Sequence, residues 1–81
     1  MSFMFEVYYL PPANSAKEAA LTEQVAALGG RLDYREGPDE NGPKRICLTY
    51  EFDDLDSAMK AANVLRQLGE HVPGPVQDYG P

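Results

Sequence analysis

The sequence has only one cysteine and one histidine, few basic side chains and no long apolar run. A lone cysteine, Cys47, permits no disulfide within the chain and favours a reducing, cytoplasmic location. A membrane-spanning helix needs about 18 or more consecutive apolar residues, and no such stretch occurs. The apolar start, residues 1–6, lacks a basic n-region and a long apolar core, so it predicts a strand and not a signal peptide.

Basic residues are scarce: 7 lysines and arginines stand against 13 acidic residues, a formal charge of −6. Such a field repels phosphate backbones and anionic membrane surfaces. The 5 tyrosines invite comparison with RNA-binding sheets, which stack bases on exposed aromatic side chains. The third predicted strand, however, has Cys47 and Thr49 at its outward positions. We therefore expect no nucleic-acid partner and no membrane partner.

Motifs for phosphate, cofactor and metal binding are also missing. Gly29-Gly30 ends a predicted helix and belongs to neither a G-x-G-x-x-G nor a Walker pattern. Asp53, Asp54 and Asp56 lack the spacing of a calcium-binding loop, and capping of the following helix explains them. We therefore predict no cofactor and no metal site.

The length of 81 residues has room for one domain, and we expect a single one. A domain of this size buries roughly 60–65% of the surface that its unfolded chain exposes. Its core is therefore too thin for a deep, closed pocket, and any site should lie on a sheet face, in a loop or between subunits. We expect the core sandwich over residues 1–72 and a Pro/Gly-rich tail over residues 73–81.

Alternation of apolar and polar side chains predicts strands over residues 3–10, 31–36 and 45–52. The core-facing positions of these strands are Phe3, Phe5, Val7, Tyr9, Leu32, Tyr34, Ile46, Leu48, Tyr50 and Phe52. The Gly/Pro segment 37–43 joins the second and third strands as an antiparallel hairpin. Residues 76–79 are the best candidate for a short edge strand, because prolines exclude a longer one.

Two helices are predicted by apolar stripes with helical spacing. The first spans about residues 15–28; Asn14 or Ser15 can cap it, and Ser15 with Glu18 forms a capping-box pattern. The second spans about residues 55–68 and follows the acidic cap. Its apolar stripe consists of Leu55, Ala58, Met59, Ala62, Leu65 and Leu68.

The order β-α-β-β-α, with an optional last strand, resembles that of ferredoxin-like domains over residues 3–72. The resemblance implies a two-layer α+β sandwich with both helices on one face of the sheet. Right-handed crossovers should place the first and third strands side by side and parallel. The second strand should lie at one sheet edge, and the tail at the other edge beside the first strand.

The sheet face without helices should carry the functional residues. Its centre is partly apolar and its edge is charged, as in many protein interfaces. The predicted interface or ligand face consists of Met4, Glu6, Tyr8, Leu10, Arg31, Arg35, Arg45, Cys47 and Thr49, with Asp33 and Glu51 beside them.

The reactive side chains lack the partners that catalysis requires. The helix dipole explains His71 after a helix end, although a pair with Glu70 or Asp78 would suit acid–base chemistry. A small buried filler is the simplest interpretation of Cys47. No Cys-His-Asn or Ser-His-Asp set can be assembled, so no catalytic residue is predicted. A small enzyme with its site between subunits, as in dimeric α/β-barrel proteins, stays an alternative, with Tyr8, Cys47 and His71 as its residues.

Two non-catalytic functions fit these features better. The first is an interaction or regulatory domain that forms a homodimer through the open sheet face. The second is an ACT-like module in which Arg31, Arg35 and Arg45 receive the carboxylate of a small acidic ligand. Against this second function, Pro11-Pro12 stands where such modules often have a glycine-rich turn. We therefore rank the interaction domain first.

Overall fold

The computed structural model describes residues 2–38 and 44–78. In chain order its elements are β1 (Phe3–Tyr9), α1 (Ser15–Ala27), β2 (Arg31–Glu36), β3 (Ile46–Phe52), α2 (Leu55–Gln67) and β4 (Gln77–Asp78). The helices and the first three strands lie where the sequence predicts them. No helix within the described ranges is long and apolar enough to cross a bilayer. Residues 39–43 of the predicted turn over 37–43, and the end of the predicted fourth strand, Tyr79, lie outside the described residues.

The four strands form one antiparallel sheet in the order β2-β3-β1-β4. The second strand and the tail occupy the two sheet edges, as expected. The predicted parallel pairing of the first and third strands is wrong, because β1 and β3 run antiparallel. The reason is the hairpin. The crossover through α1 makes β2 parallel to β1, and the following hairpin then reverses β3 relative to both.

The core lies between the sheet and the two helices. Alternate side chains of β1 and β3 point to the helical side, as strand geometry requires. The buried cluster consists of Phe3, Phe5, Val7, Leu21, Val25, Leu48, Tyr50, Phe52, Ala58, Ala61, Ala62, Leu65 and Val72. Burial of each large apolar side chain contributes about 1.5–3 kcal/mol, so this cluster is the main source of stability.

The buried stripe of α2 is narrower than the predicted one. Its buried members are Ala58, Ala61, Ala62 and Leu65, whereas Leu55, Met59 and Leu68 are exposed. Three alanines at the centre of the stripe let the helix approach the sheet closely, and this leaves the larger flanking side chains outside the contact. Leu55 and Met59 instead line a groove beside Pro75 and Val76 of the tail.

Each helix begins at a side chain that accepts a backbone N–H. Asn14 Oδ1 accepts from Lys17 N at 3.0 Å, and Asp54 Oδ2 accepts from Ser57 N at 2.8 Å. The acidic cap of α2 is therefore confirmed. The capping box predicted for Ser15 is wrong, because Asn14 occupies the N-cap position.

Candidate functional site

The register of the strands defines the outer sheet face, since directly opposite residues on antiparallel neighbours share a face. Its first row is Gln77, Met4, Glu51 and Arg31; its second is Glu6, Thr49 and Tyr34; its third is Tyr8, Cys47 and Glu36. Arg45 completes the face at the start of β3, where its guanidinium covers the ring of Tyr8. Most of the residues predicted for this face therefore lie on it.

A β-bulge at Asp33 changes which side chains of β2 reach the outer sheet face. Leu32 lies opposite Tyr50, and Tyr34 lies opposite Thr49, so Asp33 is an extra residue without a partner on β3. Tyr34 is consequently on the outer sheet face and is 58% exposed, although its alternation with Leu32 predicted a core position. Leu32, on the helical side at the sheet edge, is also 41% exposed. The predicted half-buried second strand is therefore wrong.

The same bulge turns Arg35 away from the outer sheet face, where it was predicted. Arg35 lies opposite the core residue Leu48, and its guanidinium donates to the Glu18 carboxylate at 2.6 and 3.0 Å. The hydroxyl of Tyr9 donates to the same carboxylate. These hydrogen bonds, that of Arg35 above all, lower the pKa of Glu18. Arg35 thus connects β2 to α1 and is not placed to bind a ligand on the outer sheet face.

The two remaining arginines of the predicted ligand set differ in their partners. Arg31 Nη2 lies 2.8 Å from Glu51 Oε1 and 3.1 Å from Asp53 Oδ1. The guanidinium carbon of Arg45 lies 4.0 Å from the centre of the Tyr8 ring. No carboxylate among the described residues binds Arg45. Of these two, Arg45 is therefore the one with free N–H donors.

Tyr8, Cys47 and Glu6 form a contiguous cluster on the outer sheet face. The buried Cys47 Sγ donates to Glu6 Oε2 at 3.2 Å. Burial, followed by the Glu6 carboxylate, raises the pKa of the Cys47 thiol to about 11. Burial, followed by the neighbouring Cys47 and Glu6, raises the pKa of Tyr8 to about 12. Both groups therefore stay protonated at neutral pH, which opposes their use as a nucleophile or a base.

A cleft of about 360 Å³ opens at the end of β1, beside the outer sheet face. This β1 cleft is lined by Tyr8, Tyr9, Leu10, Lys17, Arg45, Gly69, Glu70 and His71. Tyr8 N donates to His71 O at 3.0 Å, and the two rings lie 6.2 Å apart. His71 therefore lies beside Tyr8, and Tyr8 in turn lies opposite Cys47. These are the three residues of the enzyme alternative. Glu70, a candidate partner for His71, forms an ion pair with Lys17 at 3.0 Å.

The acidic residues before α2 have structural partners. Asp54 caps the helix, and its hydrogen bond from Ser57 N lowers its pKa. Asp53 binds Arg31. Within residues 2–38 and 44–78, no group of three or more His, Cys, Asp or Glu side chains is placed to hold a metal ion.

Sequence reasoning missed two features of this region. Tyr34 reaches the outer sheet face only through the bulge, and the regular alternation of β2 contains no signal for it. The contact between Arg45 and Tyr8 was missed as well. Alternation placed both side chains on one face, but only the register of β1 against β3 makes them neighbours.

Comparison with known proteins provides no relative from which a function can be transferred. No protein-family model matches the chain, and neither a curated protein nor a solved structure matches it significantly. The function is therefore inferred from the side chains and their geometry.

Proposed function

We propose that this chain is a non-catalytic interaction domain that forms a homodimer through the outer sheet face. The position of Tyr34 carries the proposal. The bulge at Asp33 moves this large ring onto the face, where it adds to the half-buried Met4 and Tyr8. Tyrosine and methionine are enriched at protein interfaces, and tyrosine supplies a large contact area at a small entropic cost.

The charge of the outer sheet face supports association between two copies. Three glutamates, Glu6, Glu36 and Glu51, stand against Arg31 and Arg45, which leaves one net negative charge on the face. The whole chain carries −6, so most of the negative charge lies elsewhere. The electrostatic repulsion between two copies that approach through this face is therefore small.

The size of the sheet also suits a dimer. A standard interface covers about 800 Å² on each partner, about a sixth of the 5001 Å² of surface on this chain. The outer sheet face is one of the two broad sides of a two-layer sandwich, so an area of this order is available on it. The two edges of the sheet are less suited to association than this face.

Pairing through a sheet edge is opposed at both edges. The β2 edge carries Arg31, Asp33, Arg35 and Glu36 around a bulge, and charges and bulges both oppose the addition of another strand. At the other edge, β4 comprises two of the described residues, Gln77–Asp78. Face-to-face packing of two sheets is therefore the favoured arrangement.

Two further inferences accompany this proposal. We infer that the sandwich is of ferredoxin-like type, supported by the order β2-β3-β1-β4 with β3 between β1 and β2. We also infer a cytoplasmic location, supported by the single cysteine of the chain. The raised pKa values of Tyr8 and Cys47 favour the interaction domain over the small enzyme.

The test is the mass of the chain in solution, measured by light scattering after size exclusion over a range of concentrations. A matched pair of variants, Tyr34→Lys and Leu68→Lys, separates the outer sheet face from the rest of the surface. The two side chains are almost equally exposed, at 58% and 57%, and both variants gain the same charge. Lysine at position 68 is also favourable to the C-terminal end of α2.

We expect a dimer for the wild type and for Leu68→Lys, and a monomer for Tyr34→Lys at the same concentration. The dissociation constant should rise about tenfold or more for Tyr34→Lys, as for the loss of a central interface residue. A monomeric wild type at all concentrations, or a dimer insensitive to Tyr34→Lys, would overturn the proposal.

A further inference from the structure

We propose that the β1 cleft binds a small carboxylic acid with an apolar body, and that Arg45 receives its carboxylate. This inference concerns a ligand site within one chain. Its residues Arg45, Leu10 and His71 all belong to one chain, so the site needs no second copy, although Arg45 also lies on the outer sheet face.

Among the residues that the structure describes, Arg45 is the arginine without a hydrogen-bonded acceptor. Arg31 and Arg35 bind carboxylates, and Arg66 donates to the carbonyl oxygens of the tail residues Val72 and Gly74 at 3.1 and 2.7 Å. The contact of Arg45 within the described residues is with the face of the Tyr8 ring. Stacking on a ring leaves the N–H groups at the edge of the guanidinium free, and this edge matches the two oxygens of a carboxylate.

The other charged side chains described in the lining of the β1 cleft do not neutralise the charge of Arg45. Glu70 is the acidic residue of the lining, and Lys17 neutralises it at 3.0 Å. His71, also in the lining, adds an exposed imidazole that can donate to a second oxygen. Among the described residues that line the β1 cleft, Arg45 is therefore the charged side chain without an oppositely charged partner, which favours an anion over a cation.

The apolar residues of the lining favour a ligand with an apolar body next to its carboxylate. Leu10 is 76% exposed, more than any other large hydrophobic residue that the structure describes, and it lies beside the rings of Tyr8 and Tyr9. A ligand that covers this leucine removes its apolar surface from water, which favours binding. The volume of about 360 Å³ is at the small end for ligand pockets, so the ligand is a small molecule.

The backbone around the β1 cleft is held in place. The hydrogen bond from Tyr8 N to His71 O joins the tail to β1. On the other side, Asn14 N donates to Tyr9 Oη at 2.9 Å, which connects the start of α1 to the same strand. The segment that carries His71 and the start of α1 are therefore both hydrogen-bonded to the end of β1.

The test is an NMR titration of the uniformly ¹⁵N-labelled chain with 3-phenylpropionate. The control ligand is 3-phenylpropionamide, which has the same shape and no charge. We expect saturable shifts at the amides of Leu10, Gly69 and His71, with a dissociation constant of about 1 mM, as suits so small a ligand. The amide should bind about tenfold more weakly or worse, because it loses the charge-assisted hydrogen bonds.

Two arginine variants locate the carboxylate. Arg45→Gln should weaken binding of 3-phenylpropionate about tenfold, whereas Arg31→Gln should leave it unchanged, since Arg31 is already paired. Arg45→Lys should be intermediate, because it keeps the charge and loses the planar fork. Leu10→Ser removes the apolar contact without touching the charge, and it should also weaken binding.

Equal binding of the acid and the amide, unchanged binding by Arg45→Gln, or the absence of saturable shifts would overturn the proposal. Repeating the titration on Tyr34→Lys separates it from the proposed dimer. Binding to this variant is expected whatever its oligomeric state. Loss of binding in Tyr34→Lys with retained folding would overturn a site that is complete in one chain.

Discussion

The hydroxyl of Tyr50 lies 2.9 Å from Thr22 Oγ1, and this hydrogen bond joins the middle of β3 to α1. Tyr50 is fully buried, whereas Thr22 is half-buried on the helix. Burial raises the pKa of Tyr50, so its hydroxyl stays neutral over the physiological range. Loss of the Thr22 hydroxyl therefore leaves a polar group unpaired in the core, whereas loss of the Tyr50 hydroxyl leaves one that is only half-buried.

Removing the threonine hydroxyl should cost more than removing the tyrosine hydroxyl. Thr22→Val leaves the buried Tyr50 hydroxyl without a partner, which costs about 1–3 kcal/mol of unfolding free energy. Tyr50→Phe leaves only Thr22, which water can reach, and should cost about 1 kcal/mol or less. Urea unfolding of both variants measures the difference. A larger loss for Tyr50→Phe would contradict this account.

The two glycines after α1 have different requirements. Gly29 has a φ of +93° with open space around its Cα, so it serves the left-handed turn at the helix end. A Cβ on Gly30 would overlap the ring of Phe52 and lie 2.6 Å from Val25 Cγ1. Close approach to two core side chains is therefore what requires glycine at position 30.

Substitution should separate these two requirements. Gly29→Asn should cost less than about 1 kcal/mol, because asparagine tolerates the left-handed region. Gly30→Ala should cost about 1–3 kcal/mol, because the core has no space for another methyl group. Thermal and urea unfolding of both variants provide the comparison. Equal losses would mean that the overlap at Gly30 is relieved by movement of Phe52.

The Cys47 thiol should react slowly with alkylating reagents in the folded chain. Its pKa of about 11 keeps the thiolate fraction small at neutral pH. Labelling with iodoacetamide should accelerate only as the pH approaches 11, and labelling of the urea-unfolded chain should accelerate near the ordinary value of 9.0. Glu6→Gln should increase the folded-state rate at intermediate pH, since the carboxylate raises the thiol pKa.

Because the pKa of Cys47 is raised, the unfolding free energy should fall at alkaline pH. The folded-state pKa of Cys47 is above its ordinary value, so its contribution is fully present below pH 9.0 and is lost as the pH rises to about 11. Unfolding free energy should therefore fall over this window. The fall should be smaller for Cys47→Ala. An identical pH profile for wild type and Cys47→Ala would be the contrary result.

The ion pair between Glu18 and Arg35 should stabilise the folded chain less at acid pH than at neutral pH. The pKa of Glu18 is lowered, chiefly by Arg35, so its contribution is present above the ordinary value of 4.5 and is lost as the pH falls through the folded-state pKa. Wild type should therefore lose its advantage over Glu18→Gln on acidification. Urea titrations of both proteins above and below pH 4.5 measure this difference.

Local features of the sequence predicted most of the elements. Alternation of side chains placed β1 and β3, because a strand exposes its two faces at every second residue. Asp54 and Gly29 marked helix ends through their own chemistry, which acts within one turn of the chain. Length and composition predicted a small, acidic domain, and the order of the strand and helix patterns predicted its α+β class.

The features of the candidate site depend on residues distant in sequence. Seven of the nine predicted face residues reached the outer sheet face, but Arg35 did not, because the bulge at Asp33 reverses the alternation after it. Tyr34 joined the face for the same reason. The bulge depends on how β2 pairs with β3, and a pairing register is a property of two strands together.

The sequence by itself determined the helices and the first three strands. The tertiary structure decided which side chains share a surface. It placed Arg45 on Tyr8, paired Arg31 and Arg35 with acids, and brought His71 beside the end of β1. Helix caps and strand alternation act over a few residues, whereas these contacts arise only when distant segments pack together.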